Sequence, residues 1–288
     1  MGNRNQIKEH GIFQIYSDMR KRLYTKSILR PAKSHFGERI IRQGTDEFRE
    51  WEPKRSKLAA SVRNGCPNTG IREGNVILYL GASHGFTCSY VSDMVGKEGL
   101  IFGIDPAPEV MRDLVFLSKE RNNIVPILAD ANHPEQYKDR ICQADVVFQD
   151  ISQKNQAEIF LKNCDLFLKE KGFGLISVKA RSINIKKKSK EIFQEVRDEI
   201  EKKYLIVDYR NLEPHEKDHC MIIIKKKPSD IQTAQSSKKN IKNKVDSYNN
   251  NNNNNSNSKK TKERRVVNKK NNRVKDFRHK KDGKKLKK

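Results

Sequence analysis

The segment best suited to bind a ligand is VILYLGASHGFTCSYVSDMVGKEGLIFGID, residues 76–105. Its two apolar runs, separated by Gly81, Gly85 and an amphipathic stretch, predict strand, turn, helix and strand. Glycine lets a ligand approach the backbone, and Asp105 at the second strand's end can accept hydrogen bonds from a ribose diol. Ser83 replaces the central glycine of the dinucleotide fingerprint. We therefore interpret the turn as an S-adenosylmethionine site, with a ligand-free turn as the alternative.

Further carboxylates lie at or near the ends of predicted strands. Asp130, in ILADANHP, is placed to accept a hydrogen bond from an adenine amino group, and Asp150, in VVFQDISQ, to lie near the reacting end of the ligand. Asp145, close to the end of a predicted strand, is counted as a further strand-end carboxylate. Open α/β sheets bind ligands beyond the carboxyl ends of their strands. Any one of these residues could instead cap a helix, but their recurrence favours a binding site.

A lysine ends an otherwise apolar run, FGLISVK. Apolar surroundings and a second cation would disfavour its charged form, so we interpret Lys179 as a proton acceptor. Lys57, in an N-terminal helical stretch, is a candidate for that second cation, although its local spacing does not single it out. His219, after the turn HEKD, could orient a group or relay a proton, and a structural role is the alternative.

The pattern that positions these residues alternates between apolar runs and amphipathic stretches. Strands are predicted at 76–80, 100–104, 124–128, 145–150 and 173–179, and helices at 89–96, 109–122, 155–172 and 190–204. The last two apolar runs, 204–212 and 219–227, are joined by a link too short for a crossover helix and should pair antiparallel. The fold class is therefore α/β, a Rossmann-like methyltransferase sheet that ends in an antiparallel β-hairpin.

Three regions are expected along the chain. Residues 1–70 contain short β-branched and aromatic runs at 12–18, 21–29 and 38–44, which predict a small β-rich N-terminal subdomain. Its final part, FREWEPKRSKLAASVRNG, indicates a turn that enters a linking helix. Residues 71–227 form the methyltransferase domain. Residues 228–288 form a basic Asn/Lys-rich tail that we expect to be disordered.

Charge is concentrated in the tail. The chain of 288 residues has a formal net charge of +24, and residues 225–288 hold 23 Lys or Arg against 5 Asp or Glu. An uninterrupted asparagine run spans 249–255. This balance favours a polyanionic partner, nucleic acid before membrane, and should add non-specific phosphate affinity. A solubilising extension is the alternative.

Composition also excludes several classes. No apolar run approaches the roughly 20 residues that span a bilayer, and the N-terminus has no secretory signal. The five cysteines are scattered without metal-ligand spacing. We expect reduced thiols, no metal site, no disulfide and no membrane association.

Six motifs, in order along the chain, resemble those of the fibrillarin family: WEPKRSKLAA, LYLGASHGFTCSYVSDMVG, ILADANHP, FQDISQ, SVKA and LEPHEKDH. The resemblance runs from about Ile12 to Lys227. It implies an S-adenosylmethionine-dependent ribose 2′-O-methyltransferase with its catalytic set at Lys57, Asp150, Lys179 and His219. With the two glycines of the turn, the expected cofactor contacts are Gly81, Gly85, Phe86, Thr87, Asp105, Pro106, Asp130, Ala131, Asp150, Ile151, Ser152 and Gln153.

Departures from the family pattern lie in the cofactor turn. Phe86 stands where the family usually has threonine, Asp105-Pro106 where it has Glu-Phe, and His84 where it has serine. All four positions of the catalytic set are kept. The short β-rich opening is similar to the archaeal form, which implies a cytoplasmic location, or a nucleolar one in a nucleated cell.

The resemblance further implies the partners. We expect RNA-guided 2′-O-methylation of rRNA, with tRNA as a further substrate, in a box C/D particle. Its other components would be a guide RNA, a Nop-type scaffold protein and a kink-turn-binding ribosomal-type protein. The alternatives are a guide-independent RNA or protein-glutamine methyltransferase and a non-catalytic RNA-binding subunit.

Overall fold

The N-terminal part of the chain forms an antiparallel sheet. The computed structural model describes residues 6–226. Within them, five strands pair in the order β1-β2-β3-β5-β4. Their bounds are Lys8–Glu9 (β1), Tyr16–Ser17 (β2), Leu23–Lys26 (β3), Ile40–Gln43 (β4) and Asp46–Trp51 (β5). The predicted β-rich opening is confirmed.

The segment after β4 differs from its prediction. We expected residues 48–65 to be a turn entering a helix, but 48–51 belong to β5 because the side chains of Phe48 and Trp51 are buried. A short 3-10 helix, Pro53–Arg55, then leads to helix α1, Lys57–Arg63. The hydroxyl of Ser56 caps α1 by accepting from the backbone N–H of Ala59, 3.4 Å away.

The second sheet has seven strands in the order β11-β12-β10-β9-β6-β7-β8. Its strands are Val76–Leu80 (β6), Leu100–Asp105 (β7), Ile124–Leu128 (β8), Ala144–Gln149 (β9), Leu168–Lys179 (β10), Leu205–Asn211 (β11) and His219–Lys225 (β12). The connecting helices are Phe86–Val95 (α2), Pro108–Glu120 (α3), Gln156–Phe167 (α4), Ala180–Ile183 (α5) and Ser189–Glu201 (α6). Strands β6 to β10 are parallel to their neighbours among themselves, and β12 runs antiparallel between β10 and β11. The predicted Rossmann-like sheet with its terminal hairpin is confirmed.

Alternation of side chains along the strands builds a core on each face of this sheet. On β12, Met221 and Ile223 pack with the N-terminal sheet, α1, α2 and α3. Ile222 and Ile224 face the other way and pack with α4 and α6. The functional side chains therefore have to lie at the ends of the strands, because both faces are covered.

Two boundaries differ from the sequence prediction. Helix α4 ends at Phe167 instead of continuing to residue 172, and β10 begins at Leu168. Leu168 pairs with Ala144 of β9 before an irregularity in the register, and Lys171 adopts a left-handed φ of 62°. Tertiary pairing thus overrides the helical pattern of this segment.

A buried ionic cluster joins the two sheets. Arg49 of β5 donates to Asp93 of α2 at 2.7 Å and to Glu38 at 2.8 Å, and Arg121 donates to the other oxygen of Asp93 at 2.7 Å. Burial opposes ionisation of Asp93, but the two guanidinium groups outweigh it and lower the pKa of Asp93. The N-terminal sheet is thereby fixed to α2, the helix that follows the glycine turn.

The remaining expectations concern membrane association and the domain boundaries. No helix among residues 6–226 is long and apolar enough to cross a bilayer. The predicted tail, 228–288, lies outside the described residues, and the division at residue 70 stays a prediction.

Candidate active site

The glycine turn after β6 requires its glycines. Gly81 has φ +80°, and a Cβ there would lie 2.4 Å from the carbonyl oxygen of Asp150. Gly85 begins α2 with φ +88°, and its Cβ would lie 2.6 Å from the side chain of Leu117. Ser83, at the position where the dinucleotide fingerprint has glycine, itself has φ 50°. Glycine is therefore required at both positions, because the turn packs closely against the loop after β9 and against α3.

Asp105 holds this turn in place. Its two carboxylate oxygens accept the backbone N–H of Ser83 at 3.0 Å and of Ala107 at 3.1 Å. The side chain is buried, whereas Pro106 next to it is exposed. Each oxygen retains a further lone pair that a ribose hydroxyl can use. Asp105 is thus fixed at the end of β7, and its expected ribose contact stays a prediction.

The loops after β8 and β9 are joined by an amide network that the sequence did not indicate. Asp130 Oδ1 accepts from the backbone N–H of Asn132 at 2.9 Å and from its Nδ2 at 3.1 Å. Asn132 Nδ2 also donates to Oε1 of Gln153 at 2.5 Å. Ala131, between them, is buried. Asp130 and Gln153, both expected cofactor contacts, are therefore held together through Asn132.

The segment from Asp150 to Gln153 lies directly beside the glycine turn. The backbone N–H of Asp150 donates to the carbonyl of Leu80 at 2.9 Å, which extends the β6–β9 pairing by one residue. Ile151 is half-buried, and Ser152 is exposed. These contacts bring the predicted cofactor residues of two loops to the same end of the sheet.

Phe86 and Thr87 face the N-terminal segment. The ring of Phe86 packs edge-on against Phe36, with centroids 5.3 Å apart, and the guanidinium of Arg55 lies 4.1 Å above it. Thr87 Oγ1 donates to the hydroxyl of Ser56 at 3.0 Å. Phe86 is thus held by contacts within the chain, and its expected role as a cofactor contact stays a prediction.

Lys57 and Asp150 form an ion pair. Lys57 Nζ lies 3.3 Å from Asp150 Oδ2, and both side chains are largely buried, with 28% and 16% exposed. Tyr79 lies in β6 nearby. Burial, and next the charge of Asp150, raise the pKa of Tyr79 well above its ordinary value, so its hydroxyl stays protonated. The Lys57 cation and the Asp150 carboxylate are therefore kept within reach of each other at the carboxyl end of β9.

Lys179 and His219 are cross-strand neighbours. They are directly paired in the β10–β12 register, Lys179 at the carboxyl end of β10 and His219 at the start of β12. His219 Nδ1 lies 2.7 Å from the carbonyl oxygen of Lys217. A carbonyl can only accept, so Nδ1 donates and Nε2 of the neutral ring is left as an acceptor. Strand β10 lies between β9 and β12, so Lys179 and His219 lie at the same end of the sheet as Asp150.

Gln156 is a further residue that the sequence analysis missed. Its Oε1 accepts the backbone N–H of Lys179 at 2.9 Å, and its Nε2 donates to the carbonyl of Lys179 at 3.1 Å and to that of Gln153 at 2.8 Å. The side chain is fully buried. Its position after DISQKN carries no motif of its own, so only the fold reveals this contact.

One expected site residue is wrong. Asp145 lies at the amino end of β9, where it accepts the backbone N–H of Val76 and pairs with Lys169 Nζ, both at 2.8 Å. The apolar run 145–150 has a carboxylate at each end, and only Asp150 lies at the ligand-binding end. Among residues 6–226, no group of three or more His, Cys, Asp or Glu is arranged to hold a metal ion.

This fold and site define a class. The sheet has seven strands with a terminal antiparallel hairpin, a glycine turn after the interior strand β6, and carboxylates at successive strand ends. This is the structure of an S-adenosylmethionine-dependent methyltransferase. The sequence model of the fibrillarin family matches residues 4–228. The chain belongs to the fibrillarin family.

Individual relatives agree with this assignment. The fibrillarin-like rRNA/tRNA 2′-O-methyltransferase of Thermococcus sibiricus is 43% identical over 224 residues, which cover 76% of this chain and 99% of the relative. Fibrillarin of Aeropyrum pernix, solved with natively bound S-adenosyl-L-methionine, is 36% identical with a TM-score of 0.70, covering 78% of this chain and 100% of that one. A chain of a fibrillarin/Nop5p complex is 39% identical with a TM-score of 0.69, covering 75% and 99%.

Proposed function

We propose that this chain is the catalytic subunit of an RNA-guided ribose 2′-O-methyltransferase that acts on rRNA and tRNA with S-adenosylmethionine. The observation that carries the proposal is the Lys57–Asp150 ion pair at the end of the sheet where Lys179 and His219 are paired across strands. The relatives' names supply the substrate class, because the chain covers nearly their whole length at 43% identity.

The residues present fit the cofactor. The cradle at Gly81 has no room for a Cβ, and Asp105 and Asp130 keep free acceptor lone pairs at the ends of β7 and β8. The bound Aeropyrum pernix fibrillarin supports the same ligand. When bound, S-adenosylmethionine supplies a methyl group activated by a sulfonium. Asp150 to Gln153 would line the reacting end of the cradle.

The chain's own residues would have to remove a proton from the ribose 2′-hydroxyl, which is a poor acid. Lys179 is the proton acceptor, and Lys57 stabilises the negative charge that develops on the oxygen. Asp150 holds the Lys57 ammonium in position through the ion pair. His219, with Nε2 as an acceptor, completes the hydrogen-bond network beside Lys179.

Other subunits would choose the nucleotide. The fibrillarin/Nop5p complex supports a Nop-type scaffold as the protein partner. We propose a box C/D guide RNA that selects the target by base pairing and a kink-turn-binding protein that anchors it. For the location, we propose the cytoplasm, or the nucleolus in a nucleated cell.

Calorimetry with S-adenosylmethionine and guided methylation of a complementary RNA test the proposal on the full chain. We expect saturable cofactor binding, and Lys179→Ala should lower kcat by about 10²- to 10⁴-fold while cofactor binding is kept. Lys169→Ala is the matched control, since Lys169 lies on the same strand at its opposite end.

Each alternative has its own outcome. Full activity of Lys179→Ala would remove Lys179 from the mechanism. Methylation of free RNA without guide or scaffold would favour a guide-independent enzyme. Absence of cofactor binding, alone and with the scaffold protein, would favour a non-catalytic RNA-binding subunit.

A further inference from the structure

A basic cleft lies beside the candidate active site and takes no part in the chemistry described above. Its volume is about 280 Å³, and five Arg or Lys side chains line it against two Glu side chains. We call this site the basic cleft and define it by the charged and titratable side chains that line it, which are Arg20, Lys21, Arg22, Lys54, Arg63, His215, Glu50 and Glu52.

Most of the cations in the basic cleft are not neutralised by the protein. Asp18 accepts the backbone N–H groups of Arg20 and Arg22 at 2.9 and 3.0 Å, and pairs with the Arg22 guanidinium at 2.5 Å. That leaves the side chains of Arg20, Lys21, Lys54 and Arg63 without a salt bridge among residues 6–226. Of the two glutamates, Glu50 is already paired with Arg39 at 3.0 Å.

The positive charge of the basic cleft affects the pKa of its histidine. Burial, and then the nearby cations Arg63 and Lys54, lower the pKa of His215. Arg63 likewise acts with burial to lower the pKa of His10. A positive potential in a concave site attracts an anionic partner and is screened by salt.

Two of the segments that line the cleft also carry half of the predicted catalytic set. Lys54 lies in the short 3-10 helix three residues before Lys57, and His215 lies in the loop that leads to His219. Asn64, the C-cap of α1, fixes these segments together, because its Nδ2 donates to the carbonyls of Asn211 at 2.7 Å and Glu213 at 2.9 Å. An RNA strand held in the basic cleft is therefore bound by the same segments that carry Lys57 and His219.

We propose that the basic cleft binds the sugar–phosphate backbone of the substrate RNA next to the nucleotide that is methylated. This inference rests on the proposed function, which places an RNA strand at Lys179. Lysine and arginine side chains contact phosphates without reading sequence, so they position the strand for any guide. An acidic segment of a partner protein is the competing occupant, and the test below distinguishes it.

The first experiment removes the charge and measures kinetics in the assembled guided particle with the full chain. Arg20→Gln/Lys54→Gln/Arg63→Gln should raise KM for substrate RNA about tenfold with kcat little changed. The slope of log(kcat/KM) against log[salt] should become shallower by about 2, at about 0.7 for each phosphate that is no longer neutralised. The control Lys97→Gln/Lys119→Gln/Lys162→Gln removes the same charge from exposed positions outside the basic cleft, and should change neither quantity.

The second experiment identifies the occupant. A photoreactive p-benzoylphenylalanine at position 54, with position 97 as the control, should crosslink to the substrate strand in the particle. Crosslinks to a protein subunit, or to no partner, would overturn the proposal, as would a KM and salt slope equal to those of the control. If the unsubstituted particle methylates no RNA, the proposed function fails, whereas the crosslink still reports whether RNA occupies the cleft.

Discussion

The Gln156 side chain offers a sharp test of how the fold positions the predicted proton acceptor. It holds the peptide groups of Lys179 on both sides and links them to the carbonyl of Gln153 in the cofactor loop. Gln156→Leu keeps a similar volume and removes all three hydrogen bonds. Three part-buried backbone groups then lose this partner, at about 1 kcal/mol net each, so we expect a decrease of about 3 kcal/mol in the free energy of unfolding.

Gln156→Leu should also lower activity at temperatures where the protein stays folded. Lys179 would no longer be fixed at the end of β10, and a displacement of about 1 Å at a reacting group can cost about 10²-fold in rate. We therefore expect kcat at saturating RNA and cofactor to fall about 100-fold, with KM for RNA little changed. Thermal unfolding should report a Tm lower by about 6–12 °C.

A second buried amide provides the control. Asn123 also makes three side-chain hydrogen bonds: its Nδ2 donates to the carbonyls of Ser92 and Gly96, and its Oδ1 accepts from the hydroxyl of Ser92. Asn123→Leu should lower Tm by a similar amount without a specific loss of kcat below its Tm. Equal losses of kcat in the two variants at equal Tm would show that Gln156 only stabilises the fold, and would refute the positioning role.

Two further predictions concern the turn and the ionic cluster. In Gly81→Ala the new Cβ meets the Asp150 carbonyl and should displace the predicted cofactor loop, so we expect the Kd for S-adenosylmethionine in calorimetry to rise at least about tenfold. Gly44→Ala is the control for backbone strain alone, because Gly44 has φ +63° and open space around it. Burial would raise the pKa of Glu38, but Arg49 and the N–H of Phe36 outweigh it and lower that pKa from 4.5 to about 2. Ionised Glu38 should therefore contribute about 3 kcal/mol to the free energy of unfolding above pH 4.5, and this contribution is lost as the pH falls towards 2. In denaturant unfolding, Glu38→Gln should lack this part of the decrease in stability with acid. The same acid dependence in the variant and the parent protein would contradict the prediction.

Sequence patterns predicted the second sheet well because its elements are defined by local periodicity. The apolar runs 76–80, 100–104 and 124–128 became β6, β7 and β8, with β7 one residue longer. The hairpin prediction followed from the short link between the last two runs, and the antiparallel pairing of β11 with β12 confirms it. Parallel strands all point the same way, so strand-end carboxylates could be grouped into one site from the sequence alone.

What the sequence could not predict depends on contacts between distant residues. Asp145 is a different case: it begins the predicted strand 145–150, so the direction of the chain already placed it away from the ligand-side carboxylates. Gln156 is 23 residues from Lys179 along the chain. Arg49 and Asp93 are 44 residues apart, and each by itself resembles an ordinary charged surface residue. No local periodicity records such pairs.

The N-terminal sheet has a role in the candidate site that its sequence did not suggest. Strand β5 ends at Trp51, which stacks on Tyr90 of α2 with ring centroids 5.2 Å apart, and the Tyr90 hydroxyl donates to the carbonyl of Glu50 at 2.8 Å. The chain then has only five residues, 52–56, before Lys57. Because β5 is fixed to α2, and α2 begins at the glycine turn, the position of Lys57 is determined by the same helix that shapes the cofactor cradle. We therefore infer that the N-terminal sheet fixes the distance between Lys57 and Asp150. A substitution that disrupts the Trp51–Tyr90 contact should lower activity by changing that distance.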